Sequence, residues 1–112
     1  MRTIKDVLEN SIKLLRTEVP ENHIKAVTQC YVELSLVKGF NPDVIDLLGM
    51  YRSYIADRYF AKNGLVERIN SKWSAFKKKG LVKELLRKCE GQAFGDGDAY
   101  IQEILALIKN NL

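Results

Sequence analysis

Apolar residues recur every three or four positions along most of this chain, in runs separated by proline, glycine and asparagine, and this is the signature of several short amphipathic helices. The stretch Asn41 to Gly64 shows it most fully. Asn41 can cap a helix, Pro42 fits its first turn, Asp43 favours the positive helix start, and Asn63-Gly64 supplies a left-handed stop after Lys62. Val44, Leu47, Leu48, Tyr51, Tyr54, Ile55 and Tyr59 share one broad face, and Ile45, Gly49, Ala56 and Phe60 form a smaller stripe at the other side. The polar remainder is a narrow strip of Asp43, Asp46, Ser53 and Asp57. A helix apolar around most of its circumference belongs inside a bundle, with neighbours on several sides.

Other segments arrange themselves around it. Thr3 to about Glu18 predicts a first helix through Ile4, Val7, Leu8, Ser11, Ile12, Leu14 and Leu15, with Thr3 and Asp6 as an acidic variant of the capping box. Pro20 ends that helix and can open the next. Over Glu21 to Lys38, Ile24, Val27, Tyr31, Leu34 and Val37 keep helical spacing, while Cys30, Val32, Leu34 and Leu36 also alternate as a strand would. Helix is favoured, because no second alternating run offers a partner and a lone strand cannot satisfy its backbone. Gly39 then provides a stop.

Leu65, Val66, Ile69, Trp73 and Phe76 give Leu65 to Lys79 an apolar face, and Leu81, Val82, Leu85, Leu86 and Cys89 give one to the segment that follows. In one unbroken helix these two faces would point roughly opposite ways. Packing both on one core therefore predicts a break at Gly80, with Trp73 in the core. After the linker GQAFGDG, Asp96 or Asp98 is expected to cap a last helix whose buried face is Tyr100, Ile101, Ile104, Leu107 and Ile108. The expected fold is all-α: residues 1–112 as a single domain, a compact bundle of five to six short helices around a central helix at about 42–62.

Composition adds bounds. The chain has 112 residues, enough for one domain with a real core. No apolar run approaches the ~18 residues of a membrane span. Lys, Asp and Glu interleave the N-terminal aliphatics, unlike a signal peptide, so a cytoplasmic location is expected. Cys30 and Cys89 lie apart within helical patterns and are read as buried thiols, not a disulfide. His23, the single histidine, is read as a surface or capping residue near a helix start.

Charge changes the picture more. The formal net charge is +4, but residues 1–63 carry nine Lys/Arg against eight Asp/Glu, residues 64–95 eight against three, and residues 96–112 one against three. The basic stretch comprises Arg68, Lys72, Lys77, Lys78, Lys79, Lys83, Arg87 and Lys88, interrupted by Trp73 and Phe76. Such a cluster binds phosphate backbones through charge and counterion release, or attracts an acidic protein or lipid surface; equally, it is what a solvated helix face looks like. A second candidate surface is the aromatic end of the central helix: Tyr51, Arg52, Tyr54, Arg58 and Tyr59. Arginine among tyrosines is a common makeup of protein-binding hot spots, although Arg58 could instead snorkel or pair with a carboxylate.

Catalytic and cofactor patterns fail on inspection. Gly95-Asp96-Gly97-Asp98 resembles part of a calcium loop, but the twelfth position from Asp96 is Leu107 where a bidentate Glu is required. No phosphate-binding lysine loop occurs, and no nucleophile is placed beside His23 by sequence. The expectation is a non-enzymatic regulatory or adaptor protein that docks on a protein partner, without cofactor or metal. The rival is a nucleic-acid binder using the basic face of residues 64–90, and homo-oligomerisation through leftover apolar surface stays open.

Overall fold

Thr3 opens the first helix as the spacing predicts: its Oγ1 accepts from the Asp6 N–H at 3.2 Å, and the Asp6 carboxylate accepts from the Thr3 N–H at 3.1 Å. The computed structural model describes residues 3–60, 65–95 and 98–112, and for 65–69 and 71 the backbone path alone. Among them are five helices and no strand: α1 (Ile4–Leu15), α2 (Pro20–Ser35), α3 (Pro42–Tyr59), α4 (Leu65–Cys89) and α5 (Asp98–Asn110). The fold is an all-α helical bundle.

Each helix obeys its local signals with small corrections. α1 stops at Leu15, short of Glu18, and buries Val7, Leu8, Ser11, Ile12 and Leu15. α2 opens on Pro20 and runs through the stretch whose alternation also suited a strand. Its buried face is His23, Ala26, Val27, Cys30 and Leu34, so the face is turned relative to the expected one, and Tyr31 is left exposed. At the start of α3, the Asn41 Oδ1 accepts from the Asp43 N–H at 2.8 Å. Val44, Leu47, Leu48, Tyr51, Tyr54 and Ile55 are buried as expected, while Tyr59 and Phe60 are exposed at the helix end. The expected extension to Lys62 and the Asn63-Gly64 stop lie outside the described residues.

α3 is the central element, packed against α2 on one side and α4 on the other; α1 packs on α2 and α5 on α1. Side chains from all five helices meet in one cluster, with Leu8, Val27, Leu47, Tyr51, Val82 and Ile108 among its least exposed members. The α4–α5 connection is built in as well. Gly91, with φ of +76°, turns the chain out of α4 in the left-handed conformation that glycine adopts at little cost. Phe94 then plugs into the core, and its N–H donates to the Asp98 carboxylate at 3.3 Å. Asp98 is the first residue of α5 and closes the linker from there; Asp96 lies outside the described residues.

The largest departure from the sequence reading is α4, which is 25 residues long and passes through Gly80 without a break. Glycine inside a helix costs only about 1 kcal/mol relative to alanine, less than the cost of ending one helix and starting another in mid-chain. The two apolar faces therefore do point apart, as an unbroken helix requires. Ala75, Val82, Leu86 and Cys89 are buried, whereas Trp73 and Phe76 are not.

Two contacts fix how α4 lies on α3. Asn41, at the start of α3, bonds to Gln92 just past the end of α4, and Asp57, near the end of α3, pairs with Lys78 at 2.5 Å. The helices are thus antiparallel, with residues 78–92 spanning the whole length of α3. α3 continues two residues past Asp57 to Tyr59, and Ala75 is still buried in the core, so Leu65 to about Ser74 run on beyond the C-terminal end of α3, roughly 15 Å at the helical rise of 1.5 Å per residue. The molecule is correspondingly elongated, 46 × 29 × 24 Å, and its radius of gyration of 14.2 Å exceeds the roughly 13 Å expected for this length.

Candidate functional site

On the solvent side of α4, near the end of α3, Trp73 is 70% and Phe76 74% exposed. They line a shallow depression together with Lys72. Among the expected basic residues, Lys72, Lys77, Lys83, Arg87 and Lys88 are exposed. Lys72, Lys83 and Arg87 fall with Phe76 on one stripe of the helix at spacings of four, seven and four, while Trp73, Lys77 and Lys88 lie farther round. Lys78 and Lys79 are half-buried, and Lys78 is held by Asp57. The side chains of Arg68, Leu65, Val66 and Ile69 lie outside the described residues. The placement of Trp73 in the core is therefore corrected: it belongs to the face turned from the bundle, because Gly80 does not redirect the helix.

The aromatic end of α3 divides the residues of the second candidate surface between core and solvent. Tyr51 and Tyr54 are 1% and 2% exposed, with ring centroids 6.1 Å apart, so neither offers a surface to a partner protein. Arg52 is exposed and donates from Nε to the Thr28 Oγ1 at 2.9 Å, tying α3 to α2. Arg58 makes no ion pair with any carboxylate among the described residues. Instead its Nη1 donates to the Tyr54 hydroxyl at 2.6 Å, and the guanidinium lies 5.2 Å from the centroid of the Tyr59 ring. The hydrogen bond to Tyr54 pushes its pKa further above the ordinary arginine value.

His23, read from sequence as a surface or capping residue, is buried in this corner. Its Nε2 donates to the Thr17 carbonyl at 2.6 Å, since a carbonyl can only accept. In the neutral ring Nδ1 then accepts the hydroxyl hydrogen of Tyr51, 3.2 Å away. Burial, reinforced by the neighbouring Tyr54 and Tyr59, raises the Tyr51 pKa well above its ordinary value, so the phenol keeps that hydrogen. The signal in the sequence was positional: with Pro20 as the first helical residue, His23 shares the face of Ala26, Val27, Cys30 and Leu34.

Both cysteines are buried free thiols. Cys30 sits in the α1–α2 seam, donating from Sγ to the Ser11 Oγ at 3.0 Å, and Ser11 in turn donates to the Ala26 carbonyl. Burial pushes the Cys30 thiol up from 9.0 to about 11, despite the opposing hydrogen bond. The native state therefore holds the thiol proton more tightly than the unfolded chain does. This stabilisation is complete below pH 9 and is lost as pH rises through about 11, amounting to roughly 2–3 kcal/mol. Chemical unfolding at stepped pH should show the loss between those limits, and Cys30→Ala should flatten it; an unchanged alkaline slope in the variant would assign the loss elsewhere.

Among the described residues no group of three or more His, Cys, Asp or Glu is placed to hold a metal ion, and no helix is long and apolar enough to cross a membrane. No protein family, curated protein or solved structure matches this chain.

Proposed function

We propose that this chain is a non-enzymatic adaptor or regulatory protein of the cytoplasm that docks on an acidic, amphipathic protein segment through the solvent side of α4. The observation that carries the reading is the exposure of Trp73 and Phe76, adjacent on the solvent side of α4 and flanked by Lys72 and Lys77. Large aromatics in contact with water are costly to display and characteristic of protein-binding hot spots. The flanking cations choose the partner's charge. They also oppose pairing with a second copy through this face, since like-charged lysines would meet. Buried free thiols at Cys30 and Cys89 suit a reducing compartment.

Nucleic acid is the competing partner, because an exposed tryptophan can stack on an unpaired base. What favours protein is the thinning of the cationic cluster: Lys78 is engaged by Asp57 and Lys79 is half-buried, so the lysines nearest the aromatics are few. Trp73, the single tryptophan, reports on both. Its emission should shift to the blue on titration with a synthetic helical peptide bearing a leucine face edged by glutamates. Trp73→Ala with Phe76→Ala, followed by peptide anisotropy, should weaken binding about tenfold or more. Saturable binding of single-stranded oligonucleotide instead, with a salt slope implying about four or more phosphate contacts, would hand the surface to nucleic acid. Peptide binding indifferent to the double substitution would remove α4 from the interface.

A further inference from the structure

The corner that holds His23 and Arg58 forms a half-open cavity of about 350 Å³, within the size range of small-molecule sites. It lies where the α1–α2 turn, the last turns of α3 and the end of α5 converge. Its lining includes Glu18, His23, Tyr51, Tyr54, Arg58 and Tyr59.

The hydrogen bonds around it leave a definite set of groups unused. His23 consumes the Tyr51 hydrogen and gives its own to Thr17. Tyr54 accepts from Arg58, and its hydroxyl hydrogen has no acceptor among the described residues. Arg58 spends only Nη1, so the edge formed by Nε and Nη2 has no partner among the described residues, and the ring of Tyr59 braces the guanidinium. A cation at the C-terminal end of a helix is favoured by the dipole alone. The dipole does not account for a concave site beside it, nor for a buried phenol whose hydrogen is unspent.

We propose that this cavity binds a small organic monocarboxylate, held by the free Nε–Nη2 edge of Arg58 and by the hydroxyl of Tyr54. The planar fork of a guanidinium edge matches the two oxygens of a carboxylate, which is the reason arginine is preferred at such sites. Charge limits the ligand to one negative unit. The lining offers a single arginine or lysine cation, Arg58, beside the Glu18 carboxylate and the chain end at Leu112, so a dianion such as a phosphate ester meets repulsion without a second cation to offset it. The half-exposed ring of Tyr59, beside the guanidinium, suits a flat body behind the carboxylate.

The test is a nuclear magnetic resonance titration of the full chain with benzoate, following the side-chain Nε–H of Arg58 and the ring signals of Tyr54. Saturable shifts of both are expected, with Trp73 unmoved, which separates this site from the α4 surface. Arg58→Gln should weaken binding about tenfold or more, and Arg58→Lys should not restore it, because an ammonium cannot form the fork. Tyr54→Phe keeps the ring in the core while removing the donor, and should weaken binding several-fold. The backbone spectrum of each variant shows whether the fold is retained. Absence of saturation, shifts that persist in both Arg58→Gln and Tyr54→Phe, or tighter binding of inorganic phosphate than of benzoate would each overturn the proposal.

Discussion

Tyr51→Ala is expected to cost about 3–5 kcal/mol of folding stability, the range for removing a large buried aromatic. The ring is 1% exposed and its hydroxyl reaches His23 of α2, so its loss removes a fully buried aromatic from this corner and enlarges the cavity there. A second loss adds to the first. His23 remains buried, and its Nδ1 loses the hydroxyl 3.2 Å away that partners it. Tyr51→Phe isolates that part and should cost about 1–3 kcal/mol, the price of a buried polar atom left unpaired. Urea unfolding followed by circular dichroism measures both. Since a domain of this kind is stable by only about 5–15 kcal/mol, the alanine variant should be visibly destabilised at room temperature. A cost under about 1 kcal/mol for Tyr51→Ala would mean that this corner is not packed as described.

The second large effect is at Gly80. Proline there removes a backbone N–H from the ladder and drives its ring into the carbonyl of Phe76, at a cost of about 3 kcal/mol or more. Alanine should do the opposite. A Cβ at Gly80 meets no atom within 4 Å, and the backbone there is helical, so Gly80→Ala should stabilise by about 0.5–1 kcal/mol. The pair of substitutions reads the continuity of α4 directly. If the chain broke at Gly80, proline would be tolerated and alanine would gain nothing. Thermal melts of the two variants beside the parent separate the cases.

Why Gly80 misled the sequence reading is instructive. The break was inferred from the premise that two apolar faces on one segment must both reach the core. Burial is favourable but not obligatory, and much of any folded surface is apolar. Here Ala75, Val82, Leu86 and Cys89 take the core positions, and Trp73 and Phe76 fall on the face turned from the bundle. Which face wins depends on where α3 stops and on the register set by Asn41–Gln92 and Asp57–Lys78, none of which is a local property. Tyr31 and His23 exchanged places for a related reason. Helical spacing in α2 is compatible with two overlapping faces, and the neighbours in α1 and α3 selected the one that includes His23.

The same distinction applies to the candidate sites. The basic composition of residues 64–95 and the gathering of tyrosines near Arg58 were visible as residue types at fixed positions. That Lys78 is paired, that Tyr51 and Tyr54 are buried, and that a cavity forms beside them required knowing which elements meet.

By itself the sequence determined the all-α class, the caps at Thr3 and Asn41, the opening of α2 on Pro20, and the buried face of α3 from Val44 to Ile55, because caps, proline geometry and a 3.6-residue period act within a few residues. Tertiary structure alone decided the outward turn of Trp73 and Phe76, the burial of His23 and the half-open cavity beside Arg58. Those outcomes depend on surfaces that face one another only after distant helices have packed, and the energies that choose among them are burial and hydrogen bonding between elements, not preferences within one.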